Sequence, residues 1–123
     1  MMMEGFKVII AGGRDFSDYP LLKEKCNNIL SSRAEKQKIV IVSGTAKGAD
    51  SLGEQYAKEK GYAIERYPAD WNTNGKAAGI IRNGVMADHA DALVAFWNGR
   101  SQGTKNMIET ARKKGLAVRT INY

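Results

Sequence analysis

Three apolar runs in this chain, Phe6-Lys7-Val8-Ile9-Ile10-Ala11, Ile39-Val40-Ile41-Val42 and Ala92-Leu93-Val94-Ala95-Phe96-Trp97, each pass directly into glycine or other small residues. A strand that is apolar on both faces has to be covered on both. A parallel sheet sandwiched between helices provides that cover, whereas an antiparallel sheet wetted on one side does not. The chain is therefore constrained to alternate strands with helices.

The intervening segments supply those helices. Asp18 can cap a helix with Pro20 in its first turn and Leu22, Cys26, Ile29 and Leu30 at helical spacing, ended by Ser31-Ser32-Arg33 and the polar stretch to Lys38. A second helix carries Ala49, Leu52, Tyr56 and Ala57 on one face, has Asp50 near its start and stops at Gly61. Tyr62 to Tyr67 is a less apolar strand suited to an edge, and Pro68-Ala69-Asp70-Trp71-Asn72 reads as a loop. The spacing then predicts a helix from about Lys76 to His89 with Ala78, Ile81, Val85 and Met86 inward. The last helix, with Met107, Ile108 and Ala111 inward, is stopped by Gly115 before a fifth strand from Leu116 to Ile121. The expected architecture is α/β: a single Rossmann-like, doubly wound domain over residues 1–123, with a five-stranded, mainly parallel sheet and helices on both faces.

In such a fold ligands bind beyond the carboxyl ends of the strands. The loops at that edge, Gly12 to Phe16, Ser43 to Asp50, Pro68 to Trp71 and Asn98 to Thr104, are the unusual ones, while the helix-to-strand joints are plain. The stretch Phe96-Trp97-Asn98-Gly99-Arg100-Ser101-Gln102-Gly103-Thr104 ends a strand, turns and opens a helix whose free N–H groups and positive dipole end favour an anion. Small residues at Gly99, Ser101, Gly103 and Thr104 let the anion approach. The same residues would also make a strand-to-helix turn that binds nothing.

Composition narrows the classes further. A net charge of +6 suits an anionic partner, nucleotide phosphate or nucleic acid, although the cations before Gly61 and Gly115 also serve helix ends. One cysteine and one histidine exclude a disulfide and a zinc site, and Cys26 reads as a core thiol. No run is long enough to span a membrane, and Met1-Met2-Met3-Glu4 leads into a strand rather than an apolar signal region, so a cytoplasmic protein is expected. A P-loop ending is missing from both Gly44–Asp50 and Gly99–Lys105. No Gly-x-Gly-x-x-Gly follows the first strand, and no Gly-x-Ser-x-Gly elbow is present. Ser43 has only His89 as a histidine partner, at a helix end suited to capping. The sequence calls for no cofactor and no metal.

Taken together, Gly12-Gly13-Arg14-Asp15-Phe16, Ser43-Gly44-Thr45-Ala46-Lys47-Gly48-Ala49-Asp50, Pro68-Ala69-Asp70-Trp71, Gly75-Lys76-Ala77-Ala78-Gly79 with Arg82-Asn83, and Gly103-Thr104 resemble the YspA/YpsA-related branch of the SLOG superfamily. That superfamily includes the lonely-guy phosphoribohydrolases and DNA-processing protein A, and many members of this branch are bacterial or phage-encoded. The resemblance implies a Rossmann-like fold and the binding or sensing of a nucleotide or nucleotide derivative, with phosphate at Gly103-Thr104 and Arg82 near the ligand. The Arg82-Asn83 pair resembles the DNA-processing relative. The phosphoribohydrolases carry a glutamate three residues after the threonine, and here that position is Met107, with Glu109 nearby. N-glycosidic cleavage, by a phosphoribohydrolase or a deoxyribosyltransferase, would then fall to Asp15, Asp50, Asp70 or Glu109, among which the sequence does not choose.

Each residue also has a plainer reading. Arg82 holds phosphate or lies on a helix surface. Arg14 contacts an anion or pairs with Asp15 or Asp18, and Asp50 charges the first turn of its helix. Trp71 and Trp97 stack on a base, worth on the order of 1–3 kcal/mol, or serve as core lids. The expected ligand-binding set is Gly12, Gly13, Arg14, Ser43, Gly44, Asp70, Trp71, Arg82, Asn83, Gly99, Ser101, Gly103 and Thr104. Single-stranded DNA on the basic surface is a further alternative. The resemblance, with the apolar third and fourth helices, points to a homodimer.

Overall fold

The computed structural model describes residues 5–123, so the reading of Met1 to Glu4 lies outside the described residues. Five strands, β1 (Phe6–Gly12), β2 (Ile39–Ser43), β3 (Ala63–Arg66), β4 (Ala92–Trp97) and β5 (Ala117–Asn122), form one sheet in the order β3-β2-β1-β4-β5. Every pairing is parallel, with Val8 opposite Ile41 on one side and Ala92 on the other. The sheet is thus wholly rather than mainly parallel. The apolar runs occupy its centre, where β2 is buried throughout and β4 almost so. The less apolar β3 takes an edge, as its composition predicts.

Helices cover both faces. α1 (Tyr19–Ala34) and α2 (Ala49–Lys60) close one core around Ile10, Leu22, Cys26, Tyr56 and Phe96. α4 (Ala78–Asp88) and α5 (Gln102–Lys113) close the other around Ile9, Met86, Leu93, Met107 and Ile108. The helix ends follow local chemistry. Asp18 caps α1 by accepting the Leu21 N–H at 3.1 Å, and Gly61 ends α2 at φ 74°, a conformation that costs a side-chain-bearing residue more. α2 also lies close on the sheet, since a Cβ at Gly53 would sit 2.8 Å from Ile10.

Several local expectations are corrected. α1 continues through Ser31-Ser32-Arg33 to Ala34, since these residues face solvent and nothing in them forbids helix. Trp71-Asn72, read as loop, begins a short helix α3 (Trp71–Asn74), because Asp70 accepts the Thr73 N–H at 3.1 Å and so caps a turn. The helix expected from Lys76 starts instead as a 3-10 turn (Gly75–Ala77) that feeds α4. Ile81 and Val85, expected inward, are exposed, and Asn83 and Ala87 are buried beside Ala78 and Met86. α4 is apolar on more than one face, and its packing against α5 selects the face that carries Asn83. No helix among the described residues is long and apolar enough to cross a membrane.

Candidate functional site

The helix after β1 covers one face of the sheet and the helix after β4 covers the other, so the two loops part and leave a crevice at the carboxyl edge between them. Gly12 pairs with Phe96 at the end of the ladder, and the Gly13 N–H donates to the Phe96 carbonyl at 3.1 Å. A Cβ at Gly12 would stand 2.3 Å from that carbonyl oxygen. The Gly13 carbonyl then accepts the Phe16 and Ala49 N–H groups, both at 3.2 Å, which ties the first loop to the start of α2. Gly48 makes that contact possible. Its φ is +78°, and a Cβ there would lie 2.2 Å from the Gly13 oxygen.

Across the crevice, side chains shape the opening of α5. Asn98 Oδ1 accepts the Arg100 and Ser101 N–H groups at 2.8 and 2.9 Å, and Ser101 Oγ caps the helix by accepting the Thr104 N–H at 3.3 Å. Trp97, half-buried, braces this turn by donating its Nε1–H to the Ser101 carbonyl at 3.1 Å, and it does not line the cleft. The cap occupies one first-turn N–H and leaves those of Gln102 and Gly103 at the helix mouth. A Cβ at Gly103 would meet nothing within 4 Å. Unlike Gly12, Gly103 is not demanded by packing, and its lack of a side chain keeps the helix mouth open.

α4 spans the crevice through two adjacent residues. Arg82 donates from Nη1 to the Gly44 carbonyl and from Nε to Asn83 Oδ1 at 3.2 Å, whereas Asn83 Nδ2 donates to Asn106 Oδ1 at 3.0 Å and to the Gly103 carbonyl at 3.4 Å. Arg82 thus holds the loop after β2, and Asn83 holds the mouth of α5. A Cβ at Gly44 would fall 2.8 Å from both Arg82 Nη1 and Asp50 Oδ2, so this glycine admits the guanidinium and the carboxylate together. Asp50 is only 5% exposed, and its Oδ2 accepts the Ala46 N–H at 3.1 Å. Burial raises its pKa, against the lowering effects of that hydrogen bond and of the Arg82 charge. Burial likewise lowers the pKa of Arg82, opposed by Asp50, from a starting value so high that the guanidinium stays charged. Between these groups Thr45 has φ 65°, an uncommon conformation for a β-branched residue, held by its N–H on Ser43 Oγ at 3.0 Å.

The resulting cleft has a volume of about 500 Å³, within the usual range for small-ligand sites. It brings together Gly12, Gly13, Arg14 and Asp15 from the first loop, Asp50 from α2, Trp71 from α3, Arg82 and Asn83 from α4, and Ser101, Gly103 and Thr104 from α5. Trp71 is half exposed at the rim, and Met86 and Met107 are buried beneath. Among the described residues Arg14 forms no ion pair with Asp15 or Asp18: Asp15 accepts the Tyr123 hydroxyl at 2.6 Å, and Asp18 caps α1.

Other expected residues lie elsewhere. Ser43 is fully buried and donates from Oγ to Glu54 at 2.6 Å, and Glu54 in turn pairs with Arg66 at 2.9 Å. Gly44 and Gly99 shape the loops without lining the cleft, and Asp70 borders a smaller pocket beside Pro68 and Ile81. Glu109 is exposed on α5 and does not line the cleft, which leaves Asp15 and Asp50 as the carboxylates in its wall. His89 contacts the Val85 carbonyl through Nδ1 at 2.8 Å and stacks on Tyr67, clear of Ser43. Sequence reasoning missed Lys76 and Ile80 as lining residues. Lys76 falls within the glycine-flanked stretch from Gly75 to Gly79, which was the available signal. Ile80 had none, because an isoleucine on a helix reads as core.

Comparisons with known proteins agree with this architecture. The family model described as "YspA, cpYpsA-related SLOG family" matches residues 6–73. The Gene 61 protein of Mycobacterium phage D29 is 33% identical over 123 residues, covering 95% of each chain. Among solved structures, DNA processing protein A from Streptococcus pneumoniae superposes with a TM-score of 0.73 at 21% identity, covering 97% of this chain and 51% of that one. DNA processing protein A from Helicobacter pylori, described for its single-stranded DNA binding mode, gives 0.67 at 20% identity, covering 96% and 66%. The chain therefore spans about half to two thirds of these structural neighbours, and at such identity the likeness concerns the fold.

Proposed function

This chain belongs to the YspA, cpYpsA-related SLOG family, and from that premise we propose that its cleft binds a nucleotide or a nucleotide-derived ligand. The phosphate rests on the mouth of α5 at Gly103-Thr104 and on Arg82, with Arg14 and Lys76 adding positive charge, and the base lies toward Trp71 and Ile80. The observation that carries this reading is Arg82. It is held in place by Gly44 and Asn83, it lines the cleft opposite an open helix N-terminus, and it keeps further N–H donors for a ligand.

Binding rather than turnover is favoured by the acids available. Met107 is buried where the related hydrolases carry a glutamate, and Asp15 is already engaged by Tyr123. Release of free base from a nucleoside monophosphate would instead establish an N-glycosidase or transferase, with Asp50 the first residue to test. A second reading, single-stranded DNA, draws on the structural neighbours and on an open basin that adjoins the cleft at Ala46 and carries Lys47 and Lys58 beside the Arg66–Glu54 pair.

The deciding experiment is thermal denaturation with AMP, GMP, cyclic nucleotides, ADP-ribose and NAD, beside an oligonucleotide titrated at several salt concentrations. A mononucleotide at ~100 times its Kd adds about 2.7 kcal/mol, which in a domain of this size raises the melting temperature by roughly ten degrees or more. No stabilisation by any small ligand, with oligonucleotide binding that falls steeply with salt, would replace this reading with the DNA one.

A further inference from the structure

Tyr123, the residue after β5, reaches across the carboxyl edge of the sheet to the loop after β1. Its N–H extends the ladder by donating to the Trp97 carbonyl at 3.2 Å, and its ring stands edge-on to Phe16 with centroids 4.8 Å apart. Its hydroxyl donates to Asp15 Oδ1 at 2.6 Å. Gly13 lets the two meet, since a Cβ there would lie 1.9 Å from the tyrosine oxygen and 2.7 Å from Asp15 Oδ1. Burial and the neighbouring carboxylate push the tyrosine pKa up to about 12, so near neutrality it remains a proton donor. An exposed loop carboxylate would ordinarily be left to water. Here one oxygen is fixed by a phenol packed edge-on against Phe16, while the side chain still lines the cleft.

The strand order places this carboxylate relative to the ligand. Along the edge the loops run β3, β2, β1, β4, so Trp71 follows β3, Asp15 follows β1, and the phosphate seat follows β4. By order along the edge, the loop that carries Asp15 comes between the loop that carries Trp71 and the mouth of α5. In a nucleotide the group between phosphate and base is the sugar.

We propose that Asp15, oriented by Tyr123, accepts a hydrogen bond from the ribose diol of the ligand, so that the cleft takes ribonucleotides in preference to deoxyribonucleotides. This rests on the nucleotide reading above. A carboxylate with one oxygen occupied offers the other to a sugar hydroxyl, and a deoxy analogue leaves that charged acceptor without its partner. Tyr123 is a positioning residue, whereas Asp15 touches the ligand.

The test compares AMP, GMP, CMP and UMP with their 2′-deoxy and 3′-deoxy counterparts by calorimetry on the wild type, Asp15→Ala and Tyr123→Phe. Circular dichroism verifies that each variant is folded. The expected result is a ribonucleotide preference on the order of 10- to 100-fold, located on the 2′- or the 3′-hydroxyl by whichever analogue loses it. Asp15→Ala should abolish that preference, and Tyr123→Phe should reduce it severalfold while its ring still packs on Phe16. A purely structural tie would lower the melting temperature of Tyr123→Phe and leave the ribo-to-deoxy ratio unchanged. Equal binding of ribo and deoxy forms by the wild type, or a preference that survives Asp15→Ala, overturns the proposal and leaves the nucleotide reading intact. No binding of any nucleotide overturns both.

Discussion

The guanidinium of Arg82 on α4 donates to the backbone carbonyl of Gly44, 38 positions earlier in the chain, and so fastens the loop after β2 to the helix that also reaches the mouth of α5. The residue proposed to hold the ligand's phosphate is therefore also a strut of the unliganded site. A ligand meets a guanidinium already oriented, and little further ordering is needed on binding.

Removing this strut should be felt in both stability and binding. Arg82→Ala is expected to lower stability by roughly 1.5–3 kcal/mol, the range for hydrogen bonds from charged groups, and to abolish stabilisation by nucleotides. Arg82→Lys should not restore binding, because an ammonium lacks the planar fork that serves Gly44, Asn83 and a phosphate together. Urea denaturation with and without ligand separates the two effects.

Two glycines, one behind the cleft and one at its mouth, should respond oppositely to the same change. Gly44→Ala places a methyl 2.8 Å from both Arg82 Nη1 and Asp50 Oδ2 and should cost about 1–3 kcal/mol by overpacking. Gly103→Ala adds a methyl that meets nothing within 4 Å, within a helix, and should raise stability by ~0.5–1 kcal/mol while weakening ligand binding at the helix mouth. Melting temperatures and ligand titrations of the two variants check this pair.

The pKa of Asp50 is raised above its ordinary value of 3.8 by burial, which fixes the sign of its linkage to folding. Between the ordinary value and the raised one, the folded state holds a proton that the unfolded state has lost. Stability from this residue is therefore complete below pH 3.8 and declines as pH rises through that window. Asp50→Asn, whose side-chain oxygen still accepts the Ala46 N–H, should remove the decline. Chemical denaturation across pH 3 to 8 would show parallel profiles if Asp50 were not the group responsible.

Cys26, on the inner face of α1, is fully buried in the core that α1 and α2 close over the sheet, and burial pushes its thiol up to about 12. Alkylation by iodoacetamide near neutral pH should proceed only as fast as the protein opens, and should accelerate to the rate of a free thiol in denaturant. Mass spectrometry of timed samples measures both rates.

Much of the fold was legible because it rests on local signals. The continuous apolar strands can be buried on both faces only in a covered parallel sheet, Asp18 and Gly61 mark helix ends through their own backbone chemistry, and the unusual loops collect at one edge because parallel strands point the same way. Those features depend on residues a few positions apart. The inward face of α4 was legible only in part: Ala78 and Met86 are buried as their spacing predicts, but Ile80, Ile81 and Val85 spread apolar side chains around much of its circumference, and only packing against α5 turned Asn83 inward and left Ile81 and Val85 exposed. The pairing of Asp15 with Tyr123, 108 residues apart, and the turning of Ser43 toward Glu54 belong to the same class. The sequence by itself determined the layers, the strand edge and the glycine-lined loops. Which polar side chains face one another across that edge was decided only when strand order and helix rotation set distances between groups that are remote along the chain.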